Sequence, residues 1–281
     1  MRRGWERPWQ NSLRFKLFFT LKQEQASQTV VIVGLGEVGK PLSEIIKKRH
    51  QVFEVDIDLA APVKRCDVMH ICFPFRDETF VNDVVEYIGR YGPDLTIINS
   101  TVAPGTTRSI ATKSGKRVVN SPVRGKHAHM REEMLHYRKF IGALDSESGT
   151  AAVEHFRSVG MRTQLLKSPE ATEISKLTET TYFGLLIAWA QEVDRYCEKV
   201  GANYEEVISF YEEIKFFPSV KYFPGVIGGH CVMPNIAILL QKFPSGLLQA
   251  IVQSNALKQN NLGPEGWREK DCQSLSATIN S

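Results

Sequence analysis

Thr29-Val30-Val31-Ile32-Val33-Gly34-Leu35-Gly36-Glu37-Val38-Gly39 decides the fold class of this 281-residue chain. Its first five residues are all β-branched, the pattern of a strand buried on both faces. Glycines at 34, 36 and 39 follow, and Lys40 to Arg49 reads as a helix. A strand, a glycine turn and a helix in this order form a candidate dinucleotide site. The first glycine permits the tight turn, the second lets backbone approach a pyrophosphate, and the third lets helix and strand pack closely. The helix start then faces the phosphate charge. Asp56 ends the next predicted strand, about twenty residues on, where a carboxylate bonds ribose hydroxyls and repels a 2′-phosphate. NAD is therefore the expected cofactor. Gly34, Gly36, Glu37, Val38, Gly39 and Asp56 are its candidate contacts, with Pro74 beyond the third predicted strand.

Working outward, Gln51 to Ile57, Val68 to Phe73 and Leu95 to Ser100 read as further strands. Asp77 to Tyr91 is a helix between them. This alternation predicts an α/β fold, a Rossmann-type doubly wound parallel sheet with right-handed crossovers. Arg117 to Asn120 and Lys139 to Ala143 are shorter strand candidates. Ser168-Pro169-Glu170 is a helix start: a capping serine, a proline in the first turn and an acid at the positive end. That helix should run to Val200 and stop at Gly201, about 48 Å at about 1.5 Å per residue. Asn203 to Tyr211 and Pro234 to Lys242 are later helices. The expected organisation is an arm at 1–28, a dinucleotide-binding domain at 29–165, a helical domain at 166–254 and a polar tail at 255–281. Leu185, Leu186, Ile187, Trp189 and Val193 give the long helix more apolar surface than one small neighbour covers, so a homodimer through it is expected.

Apolar residues make up 42% and charged residues 23%, the balance of a water-soluble globular chain rather than a disordered one. No apolar run approaches about 18 residues, so no membrane span is expected. Five scattered cysteines without CxxC spacing argue against a disulfide framework or a structural zinc, and for a reducing, cytoplasmic setting. No metal site is expected: His127 and His129 lie in a basic loop without further ligands at metal spacing. The net charge is +4, with basic clusters but no recognition module, so nucleic acid is not an expected partner.

The chemistry-bearing stretch is Pro224-Gly225-Val226-Ile227-Gly228-Gly229-His230-Cys231, a thiol on a glycine-rich loop. With Ser100-Thr101-Val102-Ala103-Pro104-Gly105-Thr106-Thr107, Glu173-Ile174-Ser175-Lys176-Leu177 and the glycine turn, it gives the chain a resemblance. Over roughly residues 29–240 it resembles the nucleotide-sugar dehydrogenases, typified by the UDP-glucose and GDP-mannose enzymes. The resemblance implies NAD-dependent, two-step oxidation of a sugar alcohol to the acid. Cys231 would be the nucleophile that forms a thiohemiacetal and then a thioester. Lys176 would stabilise the oxyanion, and Thr101 would line the nicotinamide site and hold a water. Gly228 and Gly229 would fold over the sugar.

The chain departs from the family at three places. Thr180 stands where the family has Asn, and Asn235 where it has Asp, so a general base is lost there. Pro122-Val123-Arg124-Gly125 replaces Pro-Glu-Phe-Leu. The chain also ends before the family's further nucleotide-gripping domain. An unusual, sugar-like or anionic hydroxylated substrate is therefore expected, with Arg124, Lys126 and His127 as contacts. Two alternatives stay open. One is a one-step hydroxy-acid dehydrogenase using Lys176 as acid-base. The other is a non-catalytic NAD-binding protein.

Overall fold

The structure is a computed structural model that describes residues 26–76, 79–125, 129–214, 222–229 and 231–262. The arm up to residue 25, Lys126, His127, His230, Cys272 and the tail from residue 263 lie outside the described residues. The sheet comprises β1 (Thr29–Val33), β2 (Gln51–Val55), β3 (Val68–Ile71), β4 (Leu95–Ile98), β5 (Val118–Asn120), β6 (Lys139–Ala143) and β7 (Thr163–Leu166). Their order is β2-β1-β3-β4-β5-β6-β7. The first five are mutually parallel, as the alternation of strands and helices predicts. The expectation of a parallel sheet fails at its far edge. There β6 pairs antiparallel with β5, and β7 runs parallel to β6. The chain returns along the same edge after β5, so no crossover is imposed on it.

Period-two alternation explains how the sheet is covered on both faces. Val30 and Ile32 point to one side, where α1 (Gly39–Ile46), α4 (Met130–His136) and α5 (Ser146–Ser158) supply Leu42, Ile45, Met130, Met134 and Phe156. Val31 and Val33 point to the other, against Phe80, Val84 and Ile88 of α2 (Phe80–Tyr91) and Ile110 of α3 (Thr106–Ser114).

The long helix α6 spans Pro169–Val200, with the Ser168 side chain accepting from the Ala171 amide and Gly201 closing it in the left-handed region. Both ends are where the sequence places them. Its start is fused to the sheet. A Cβ on Gly142 of β6 would meet the Ser168 carbonyl oxygen and Thr172 Oγ1 at 2.5 Å, so only glycine admits this approach. Beyond α6 come α7 (Tyr204–Ser209), α8 (Val232–Lys242) and α9 (Gly246–Leu262). Leu177, Ile227, Val232, Ile236, Leu239, Leu248 and Ile251 form the shared core of α6, α8 and α9, while Ile208 of α7 packs with Val193 and Cys197 of α6. The helix α9 continues well past residue 255, where the polar composition predicts a tail. Asn255 itself is buried, because its amide group has backbone to bond.

Candidate active site

The glycine turn has the geometry a dinucleotide needs. Gly34 is at φ +91°, and a Cβ there would lie 2.8 Å from the Phe73 amide nitrogen. A Cβ on Gly39 would lie 1.8 Å from the Gly34 carbonyl oxygen. Gly36 has open space around its Cβ position. No side chain caps the start of α1, where the Lys40 amide donates to the Gly36 carbonyl at 3.2 Å and Pro41 has no N–H to satisfy. Asp56 accepts from the Leu35 amide at 3.1 Å and from the Ile57 amide at 2.9 Å. It thereby ties the acid-bearing end of β2 to the turn. Pro74 is exposed and Thr101 half-buried, just past the ends of β3 and β4. The Ser100 hydroxyl donates to the Phe73 carbonyl at 2.6 Å and locks these two strand ends together. These residues fit a dinucleotide.

The second half of the site is the crossing of α6 and α8. Asn235 Nδ2 donates to Thr180 Oγ1 at 2.7 Å. One turn further along α6, Gly184 sits where a Cβ would lie 2.5 Å from Val232 Cγ1. These contacts run in opposite order along the two helices, so the Thr180–Asn235 pair lies between Lys176 on one and Cys231 on the other. Cys231 is the N-cap residue of α8, and its carbonyl accepts from the Asn235 amide at 3.1 Å. A helix start favours negative charge, which suits a thiolate or an oxyanion formed there. Cys231 and Lys176 are both half-buried, accessible yet partly shielded from water. Among the described residues Lys176 makes no ion pair.

The glycine-rich loop is held from below by residues that motif reading passes over. Asn255 bonds both backbone groups of Ile227, accepting from its amide at 2.7 Å and donating to its carbonyl at 3.0 Å. Gln191 donates to the Gly225 carbonyl at 2.7 Å and accepts from Ser254 at 2.9 Å. Gly229 takes φ +78° with nothing near its Cβ position, so backbone conformation rather than crowding demands glycine there. Gly228 is half-buried beside it.

Glu173 aims α6 at the sheet. It is 1% exposed and accepts from the Gly105 amide at 2.7 Å, the Thr107 amide at 2.9 Å and Thr107 Oγ1 at 2.6 Å. The carboxylate thus caps α3, directly after the loop that carries Thr101. Burial raises its pKa, and these three hydrogen bonds oppose that rise. Arg124 donates to Glu179 of α6 through Nε at 3.0 Å and lies over the rings of Tyr137 and Phe140. It ties its segment to α6, which reading it only as an anion contact misses.

Residues 170–261 match the central domain of the UDP-glucose/GDP-mannose dehydrogenase family. The UDP-N-acetyl-D-mannosamine dehydrogenase of Methanocaldococcus jannaschii is 30% identical over 192 residues, 66% of this chain and 44% of that enzyme. The chain is similar to the nucleotide-sugar dehydrogenases. It spans under half the length of the curated family members it matches. The fold agrees. A UDP-D-ManNAc dehydrogenase from Pyrococcus horikoshii superposes with a TM-score of 0.69 at 21% identity, covering 81% of this chain and 68% of that one. Outside the family, a 3-hydroxyisobutyrate dehydrogenase from Mycobacterium tuberculosis superposes at 0.63 with 14% identity, over 85% and 95% of the two chains.

Proposed function

We propose that this chain binds NAD at the glycine turn and oxidises an alcohol group of a nucleotide-sugar-like substrate over the crossing of α6 and α8. The observation that carries the reading is the Thr180–Asn235 hydrogen bond, which brings the helix bearing Lys176 against the helix that begins at Cys231. When bound, NAD supplies the hydride acceptor. The protein's part is positional and electrostatic. The turn from Gly36 to Gly39 presents its backbone to the pyrophosphate, and Asp56 offers a carboxylate to the ribose. Cys231 Sγ attacks the aldehyde carbon of the first oxidation product, and the carbonyl electron pair moves onto oxygen. The Lys176 ammonium and the start of α8 stabilise that oxyanion. After the second oxidation, water attacks the Cys231 thioester, the thiolate leaves, and the proton of the attacking water passes to solvent. Asn235 orients that water without taking its proton, since an amide is no base at neutral pH.

The fold likeness that spans 95% of a 3-hydroxyisobutyrate dehydrogenase favours a second reading, one-step oxidation with Lys176 as acid-base. Counting separates the two. Purified protein is given NAD and a panel of nucleotide sugars and hydroxy acids, and NADH is compared with product. Two NADH per acid, abolished by Cys231→Ser, establishes the thiol route. One NADH per ketone, insensitive to that change, establishes the second reading. NAD binding without any turnover overturns both.

The same reading includes a homodimer. Tyr182, Trp189 and Tyr196 recur every seven residues on α6 and are each about half exposed. Of the five residues that composition points to, Trp189 alone is in this exposed row. Leu185 and Ile187 pack into the helical core and Val193 is buried, while Leu186 is half-buried.

A further inference from the structure

Lys139 opens β6 at the edge of the sheet where β1 to β5 end, and it is only 5% exposed. Its Nζ donates to the Ser121 carbonyl at 2.6 Å, to Asn99 Oδ1 at 3.2 Å and to the Pro122 carbonyl at 3.3 Å. Three oxygens surround three ammonium hydrogens, and no carboxylate is among them. The remaining neighbours are Phe156 of α5, whose ring centre is 5.2 Å away, and the ionisable groups of Cys72, His70, His155 and Lys176. None of these is an acid that would neutralise an ammonium. Burial pushes the Cys72 thiol up to about 12, so it stays protonated. Burial also lowers Lys139 to about 7, and Lys176 adds to the fall. A lysine in a core that apolar residues could fill costs stability, whatever use its charge has.

The segment it grips gives that use. Ser121, Pro122 and Val123 are buried, and the next residue, Arg124, is bound to Glu179 one turn of α6 beyond Lys176. Asn99, the other partner, directly precedes the Ser100–Thr101 strand end. One amine therefore joins the segment after β5 to the strand end that leads to Thr101.

We propose that Lys139 is a positioning residue of this site: as an ammonium it clamps the Ser121 and Pro122 carbonyls to Asn99, and loss of its proton to solvent releases the Ser121–Arg124 segment. The catalytic consequence rests on the function proposed above; the clamp itself does not.

The test uses the full chain with lysine Cε carbons labelled for NMR, and Lys139→Met identifies the Lys139 signal. Burial predicts that this signal titrates at about 7, well below ordinary lysines, and the clamp predicts that the Val123 and Arg124 amide signals move with the same midpoint. Lys139→Arg should keep those amides in place and abolish their titration. Lys139→Met should displace them at every pH. A Lys139 signal that titrates with ordinary lysines, or segment amides that ignore both the titration and the Lys139→Met change, overturns the proposal. In turnover assays Lys139→Met should raise KM for the sugar substrate about tenfold, flatten its pH dependence and be rescued by Lys139→Arg, as for a lost charge-assisted hydrogen bond. Absence of turnover in the unmodified protein counts against the proposed function alone, because the NMR result decides the clamp.

Discussion

Thr180 and Asn235 show how much one exchange of polar side chains can alter. The nucleotide-sugar dehydrogenase pattern places Asn and Asp here, and this chain carries a hydroxyl and an amide instead. The two still bond each other at 2.7 Å, so the crossing of the helices is preserved while its proton acceptor is gone. On the proposed mechanism Lys176 bears more of the charge development. Its replacement by alanine should lower kcat about 100-fold or more, the typical effect of removing an oxyanion donor, and leave NAD affinity unchanged. Steady-state kinetics beside calorimetric NAD binding checks this. A parallel loss of NAD binding would assign Lys176 a structural role.

At the scale of elements, α6 organises the molecule because two glycines admit close packing against it and a third lets it end. Gly142 receives its start and Gly184 receives α8, while Gly201 ends it. Gly184 is the most exposing test, since its added Cβ would meet Val232 at 2.5 Å. Gly184→Val should cost about 1–3 kcal/mol, as overpacking does, and reduce turnover by parting Thr180 from Asn235. Denaturant unfolding gives the first quantity. A variant of unchanged midpoint and activity would show that α8 can slide along α6. The helix ends were legible in advance because Ser-Pro-Glu and Gly are local signals. Glu173 was legible only as part of a motif. Its partners lie 66 and 68 residues away, and no local pattern announces that a carboxylate will cap another helix. Gln191 and Asn255 escaped notice for the same reason, each being an ordinary polar residue until the loop folds over it.

At the scale of the whole molecule, a line of buried polar groups crosses the core beneath the sheet. Asn99 donates to His70 at 3.0 Å, His70 meets His155 at 2.9 Å, and His155 meets Gln28 at 2.7 Å. His50 closes the line, receiving the Gln28 amide and reaching Ser158. This pattern needs neutral imidazoles, each with one donor and one acceptor nitrogen. Burial lowers all three histidines, His155 to about 3. Folded, they resist protonation; unfolded, they take up protons below about pH 6.5. Their contribution is therefore intact above that pH and falls as the pH drops toward the folded values, by up to about 1.4 kcal/mol per pH unit for each histidine. Melting temperature should hold above about pH 6.5 and fall steeply from there to about pH 5, and His155→Gln should blunt the slope. A flat profile would refute neutral burial.

The α6 face makes a second whole-molecule prediction. Trp189→Glu should convert a dimer into a monomer by light scattering at micromolar concentration, because a charge at the centre of an apolar interface is left unpaired. A monomer before the change would remove the dimer from the reading.

The sequence by itself determined the dinucleotide half of this protein. A β-branched strand, Gly34-Leu35-Gly36-Glu37-Val38-Gly39 and Asp56 act through contacts close in the chain, where backbone sterics leave few choices. It also determined the length of α6, since capping is local. Tertiary structure alone decided the reversed edge of the sheet, the burial of Lys139 with its three oxygens, and which residues of α6 face outward. Each of those depends on partners brought together from distant parts of the chain, and their free energy exists only once the whole core has formed.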